Sequence, residues 1–375
     1  MEDQKGRRRF LKYLLSLSAF SAGTFLSLRG NKGLKTGRSG QVSTSPSEAK
    51  AATGRGSQGP RHPSSLKIDI FTHVAPKNYA DALQKISPVN SLLSDLDQRF
   101  QKMDQLGEIL QVLTLGGSPI ENIADPIKAV DLAKTANDGM AEMVTRYPDR
   151  FAGAAAALPM NNMDAAIKEL DRAINDLHLK GVQIFTSVNA KPLNSPEFMP
   201  LYEKMAQYDL PIWIHPLSHE NQPYYPVEQD SKNDFGIFIG WPHATSMAMM
   251  RLAASGVLER FTNLKFITHH SGGTVPYLAQ RIEFAPSRFE GPSRPIIESL
   301  RMFYNDTAVQ GNTPNLMCAN AFCGADHQLF GTDFPYADTD MVKRVIRSID
   351  EMEITDAERR KIYADNARRL VRLTI

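Results

Sequence analysis

From Leu66 onward the chain alternates short apolar runs with longer stretches whose apolar residues recur every three or four positions. The runs read LKIDIF, EILQVLTL, FAGAAAAL, GVQIFT, PIWIHP, LKFITHH, MFYNDTA and QLFGTD. Between them, DPIKAVDLAKTANDGMAEMVTRYP, DAAIKELDRAINDL, PEFMPLYEKMAQY, TSMAMMRLAASGVLERF and DMVKRVIRSI carry the helical period. A last segment, TDAERRKIYADNARRLVRL, opens with Thr355 and Glu358 at capping-box spacing. The short runs are continuously apolar rather than alternating, as in parallel strands covered on both faces. Eight strand–helix units in residues 66–375 predict an α/β fold, a (β/α)8 TIM barrel, ahead of a doubly wound open sheet.

Charge divides the chain. Residues 1–65 hold 12 Lys and Arg against 3 Asp and Glu, and the remainder holds 31 against 38. A folded body with an acidic balance is a poor partner for nucleic acid. The basic excess lies in a tail that begins GRRRFLKYLLSLSAF. Arg7 and Arg8, one spacer, Phe10, Leu11 and Lys12 resemble the twin-arginine export signal. The apolar stretch Tyr13 to Leu28 is shorter than the ~20 residues a spanning helix needs. Residues 1–28 are therefore expected to be an export segment, and without a clear cleavage site an uncleaved membrane anchor stays open. Residues 29–65, rich in Gly, Ser, Lys and Thr, are expected to form a disordered linker. Cys318 and Cys323 make neither a disulfide framework nor a structural zinc site, and read as small core residues.

In barrel enzymes the chemistry sits at the C-terminal ends of the strands. Here the first run leads to His73, the fifth to His215, and the sixth to His269 and His270. The seventh holds Asp306 and the eighth ends at Asp333. With only nine histidines in the chain, three strand tips bearing imidazole are unlikely to arise by chance. Imidazole and carboxylate at one mouth suit a divalent ion.

The segments IDIFTHVAP, WIHP, HSGGTVPYLAQRI and LFGTDFPY, in this order, resemble the amidohydrolase superfamily. The branch is that of the aminocarboxymuconate semialdehyde decarboxylase and the resorcylate-type decarboxylases. The resemblance implies His73, His215 and Asp333 as ligands of one divalent metal, zinc first and manganese second. It further implies His270, with Asp333, as the acid/base group, and His269 as a supporting or structural residue. Arg99 and Arg281 match positions that hold substrate carboxylates, Arg281 from the neighbouring subunit of a homodimer. Relatives carry H-x-H or E-x-H on the first strand, whereas this chain carries Phe71-Thr72-His73. Phenylalanine cannot ligate, so Phe71 is expected to shape an apolar pocket wall, and a metal-free site remains a rival. Non-oxidative decarboxylation of an aromatic or muconate-type carboxylate leads. Hydrolysis of a lactone, amide or carbon–carbon bond follows, and then an impaired barrel kept as a binding module. The long segment Ser218 to Ser246, with His219 and His243, reads as a lid or an ordered rim loop.

If the twin-arginine reading holds, replacing Arg7 and Arg8 together by Lys leaves the protein in the cytoplasm. Fractionation of a reporter fusion checks this, and undiminished export would refute it.

Overall fold

The computed structural model describes residues 66–374, except 85, 87–88, 218–232 and 285–291. Residues 1–65, where an export segment and a linker are expected, and His219 lie outside the described residues. The predicted strands form as β1 (Lys67–Val74), β2 (Ile109–Leu115), β3 (Phe151–Ala154, resumed at Ala156–Ala157) and β4 (Val182–Phe185). They continue as β5 (Pro211–His215), β6 (Lys265–Thr268), β7 (Tyr304–Asp306) and β8 (Gln328–Leu329). Each pairs with the next in parallel, with the break at Ala155 dividing the pairing of β3 between β2 and β4.

The sheet closes through the segment that follows β8. Ile70 N donates to Phe330 O (2.9 Å), Asp333 N to Phe71 O (3.0 Å) and His73 N to Phe334 O (2.6 Å). Asp69, buried inside β1, reinforces this seam by accepting from the backbone of Phe71 (3.3 Å) and of Thr332 (3.1 Å). Burial pushes its carboxyl up to about 7, against the hydrogen bonds and the Arg99 charge that pull it down. Gly331 has no room for a side chain, because a Cβ there would meet Asp306 Cβ at 2.8 Å and Phe71 Cβ at 3.1 Å. The interior is filled rather than hollow: fully buried Trp213 on β5 reaches across to β1, its Nε1 donating to Ile70 O at 2.9 Å.

Helices cover the outside, among them α1 (Lys77–Leu83), α2 (Leu96–Met103), α3 (Pro126–Arg146), α4 (Met163–Asn175), α5 (Met199–Tyr208) and α6 (Trp241–Ala254). Further on come α7 (Ala279–Glu283), α8 (Thr313–Cys323) and α9 (Thr339–Asp350). Asp125 caps α3 through the amides of Ile127 and Lys128, with Pro126 at its first position. The final helical segment has the expected capping box, with Glu358 N donating to Thr355 Oγ1 and Thr355 N to Glu358 Oε2. A wider turn at Lys361–Asp365 divides that segment, which the periodicity had joined into one helix. Among the described residues no helix is long and apolar enough to cross a membrane.

Candidate active site

The strand tips bring His73, His215, His269, His270 and Asp333 to one mouth, around the ring of Phe71. Phe71 is fully buried. Its ring centre lies 4.7 Å from that of His73, 5.8 Å from His215, 3.5 Å from His269 and 5.8 Å from His270. The His269 contact is face to face, with the planes 15° apart. Asp333 and His270 both take positive φ, 66° and 54°, a left-handed conformation that non-glycine residues adopt at a cost and that recurs at functional sites.

Each imidazole has its proton placed by the fold. Thr114 Oγ1 donates its single proton to Thr72 O (3.1 Å), so it accepts from His73 Nδ1 (3.1 Å). His215 Nδ1 donates to Pro216 O at 2.7 Å and His270 Nδ1 to Ala308 O at 2.8 Å, since carbonyls only accept. His269 Nδ1 donates to Asp306 Oδ2 at 2.6 Å. A neutral ring with Nδ1 so engaged keeps its lone pair on Nε2. Nε2 of His73, His269 and His270 is buried without a hydrogen-bond partner among the described residues. His73 Nε2 lies 3.2 Å from Asp333 Oδ1, a contact that is an ion pair only with the ring protonated. Burial holds His215 neutral, with His73 and the other imidazoles adding to the effect; burial lowers His269 too, against the pull of Asp306.

Among the described residues, the mouth is an assembly of acceptors with no Lys or Arg paired to its carboxylate, Asp333. Among the described residues, however, no three His, Cys, Asp or Glu side chains are drawn together closely enough to enclose an ion as they stand. An aromatic collar surrounds these groups. Phe185 packs on His215 (5.1 Å), Trp241 stacks over His270 (6.3 Å, planes 12° apart) and Tyr336 meets His73 edge-on (5.6 Å).

The two arginines stand elsewhere. Arg99, on α2, is buried in the wall: Nε donates to Gln111 Oε1 (2.9 Å) and Nη1 to His73 O (2.7 Å), between the rings of Phe334 and Phe151. Burial draws its pKa down to about 9. A guanidinium so engaged supports the backbone of His73, and among the described residues its Nη2 is buried without a hydrogen-bond partner. Arg281 lies exposed on α7 without a hydrogen bond or ion pair among the described residues. His243 is exposed on α6. Sequence reasoning missed Phe185, Tyr336, the tautomer-setting Thr114 and the buried acid Glu121.

An eight-stranded parallel barrel with three imidazole-bearing strand tips and a carboxylate on the eighth defines a hydrolase-type barrel enzyme. Residues 68–373 match the family described as Amidohydrolase, and the chain belongs to that family. It is 32% identical over 320 residues to the gamma-resorcylate decarboxylase of Rhizobium radiobacter, covering 80% of this chain and 92% of the relative. It is 29% identical over 329 residues to the 2-amino-3-carboxymuconate-6-semialdehyde decarboxylase of Dictyostelium discoideum (78% and 89%). Among solved structures, 2,6-dihydroxybenzoate decarboxylase from Rhizobium superposes with a TM-score of 0.70 at 29% identity, covering 82% of this chain and 99% of that one. A dihydroxybenzoic acid decarboxylase from Polaromonas, solved with bound manganese and the inhibitor 2-nitroresorcinol, has a TM-score of 0.69 at 27% identity (83% and 98%). These relatives are the decarboxylase branch that the sequence motifs resemble.

Glu121 yields a test of the rim. It lies buried beside a small cavity that Gln183 and Phe185 also line, with Oε1 unpartnered. Burial raises its pKa from 4.5 to about 7. Between these values the folded protein keeps a proton that the unfolded chain releases, so this group's contribution to stability falls as pH rises through that window. Glu121→Gln removes the titration. Its melting temperature relative to the parent is expected to be more favourable at pH 8 than at pH 5, and an equal difference at both pH values would contradict the assignment.

Proposed function

We propose that this protein is a metal-dependent, non-oxidative decarboxylase of an aromatic carboxylate. The observation that carries the reading is the mouth itself: four imidazole Nε2 atoms and a carboxylate, with no cationic side chain paired to that carboxylate among the described residues. Such a donor set is costly to bury unless a cation satisfies it, and it fits one divalent ion, zinc or manganese, held by His73, His215 and Asp333. When bound, the ion supplies a Lewis acid for the negative charge of the substrate. The collar of Phe185, Trp241 and Tyr336 around Phe71 suits a planar ring. Decarboxylation exchanges carbon dioxide for a proton at the ring carbon. His270, with Nε2 bare and its ring fixed through Ala308, is placed to take up and deliver that proton, in company with Asp333. The decarboxylases among the relatives support this chemistry.

Carbon dioxide release from 2,6-dihydroxybenzoate and related hydroxybenzoates tests the reading. Chelation is expected to abolish release and added manganese or zinc to restore it. His270→Gln is expected to lower turnover by about 10²–10⁴-fold with the fold unchanged by circular dichroism. Full activity in protein stripped of metal, or no release from any substrate of this class, would defeat the proposal.

Export by the twin-arginine route and a homodimeric state complete it. Exposed Arg281 lies between the exposed aromatics Tyr277 and Phe284, a surface suited to a second copy whose site Arg281 would serve. Inactive Arg281→Ala and inactive His270→Ala chains, mixed and refolded together, are expected to regain part of the activity. An active monomer at high dilution would overturn the shared site.

A further inference from the structure

Phe71 leaves strand one a ligand short, and the ring stacked on it is an imidazole with an unused lone pair. We propose that His269, held by Asp306, supplies the metal-ligating nitrogen that Phe71 does not. The inference rests on the metal-dependent reading above and extends it to a residue expected only to support the site.

Three observations carry it. First, His269 is fully buried, and its Nε2 has no hydrogen-bond partner among the described residues. A buried acceptor left unpaired is destabilising, so an apolar residue of similar volume would serve better if packing against Phe71 were its whole role. Second, the proton is pinned on the far nitrogen. Asp306 Oδ2 accepts from Nδ1, and Asp306 Oδ1 accepts from the amides of His270 (2.9 Å) and Ala308 (2.9 Å). A carboxylate behind an imidazole, fixing its tautomer and raising its basicity, is the usual support of a metal-bound histidine. Third, His269 adjoins the imidazoles at the strand tips, although the described side chains as they stand do not yet enclose an ion. The His73 and His215 ring centres are 5.1 Å apart, and those of His215 and His269 are 5.7 Å apart. His215 is thus the common neighbour of a ligand the family motif implies and of one it does not.

The test uses the purified full chain, stripped by chelation and titrated with cobalt(II), with binding read by calorimetry and by visible absorption. His269→Ala is expected to weaken cobalt(II) binding about 10-fold or more and to alter the spectrum. Adding Phe71→His to that variant returns a strand-one imidazole and is expected to recover most of the affinity. Asp306→Asn keeps an acceptor for the two amides but offers its NH2 to His269 Nδ1, which moves the ring proton to Nε2. It is expected to weaken cobalt(II) as well, and it decides the matter if His269→Ala fails to fold by circular dichroism. Parental affinity and spectrum in His269→Ala, or in Asp306→Asn where that variant must stand in, overturn the proposal. So does a loss that Phe71→His leaves uncorrected, which would make His269 a packing residue. A parent chain that takes up no cobalt(II) overturns the metal-dependent reading as well, whereas a parent that binds normally confines any failure to His269.

Discussion

Everything at the mouth depends on how the sheet closes. The three backbone hydrogen bonds between β1 and the segment after β8 set the height of Asp333 against His73, and no side chain could correct an error there. A shift of one residue along a strand would turn each inward group outward. Gly331 lets the closing segment approach Asp306 and Phe71 within van der Waals distance, and the buried Asp69 ties the same two strands from the inside. Arg99 adds a third restraint, gripping the carbonyl of His73 from the wall.

With the seam fixed, the electrostatics of the mouth follow from where protons cannot go. Carbonyls of Pro216 and Ala308, the occupied hydroxyl of Thr114 and the carboxylate of Asp306 each claim an Nδ1 hydrogen. Lone pairs therefore accumulate on one side of the rings. Arg99, buried in the wall behind His73, has two of its nitrogens turned to internal acceptors. Such a mouth favours a cation and, through it, an anionic substrate.

Much of this was legible in the sequence, for a physical reason. Parallel strands covered on both faces are continuously apolar, so a histidine or aspartate at the end of such a run marks a tip. His73, His215 and Asp333 were found in that way. His269 was harder, because neighbours on a strand face opposite sides. The positive φ of His270 breaks that alternation, so both imidazoles meet the ring of Phe71, and no residue type announces such a turn. The burial of Arg99 was not legible because helical periodicity does not say how deeply a polar position sinks. Glu121 and Tyr336 were invisible because their burial comes from contacts distant in sequence.

The chain has two tryptophans, and the barrel separates them. Trp213 is sealed in the interior with its indole N–H bound to Ile70, while Trp241 lies over His270 at the rim. Intrinsic fluorescence is therefore divided between a shielded emitter, which changes only when the barrel opens, and one that senses occupancy of the mouth. Unfolding and ligand binding thus act on different indoles of one chain, without a label.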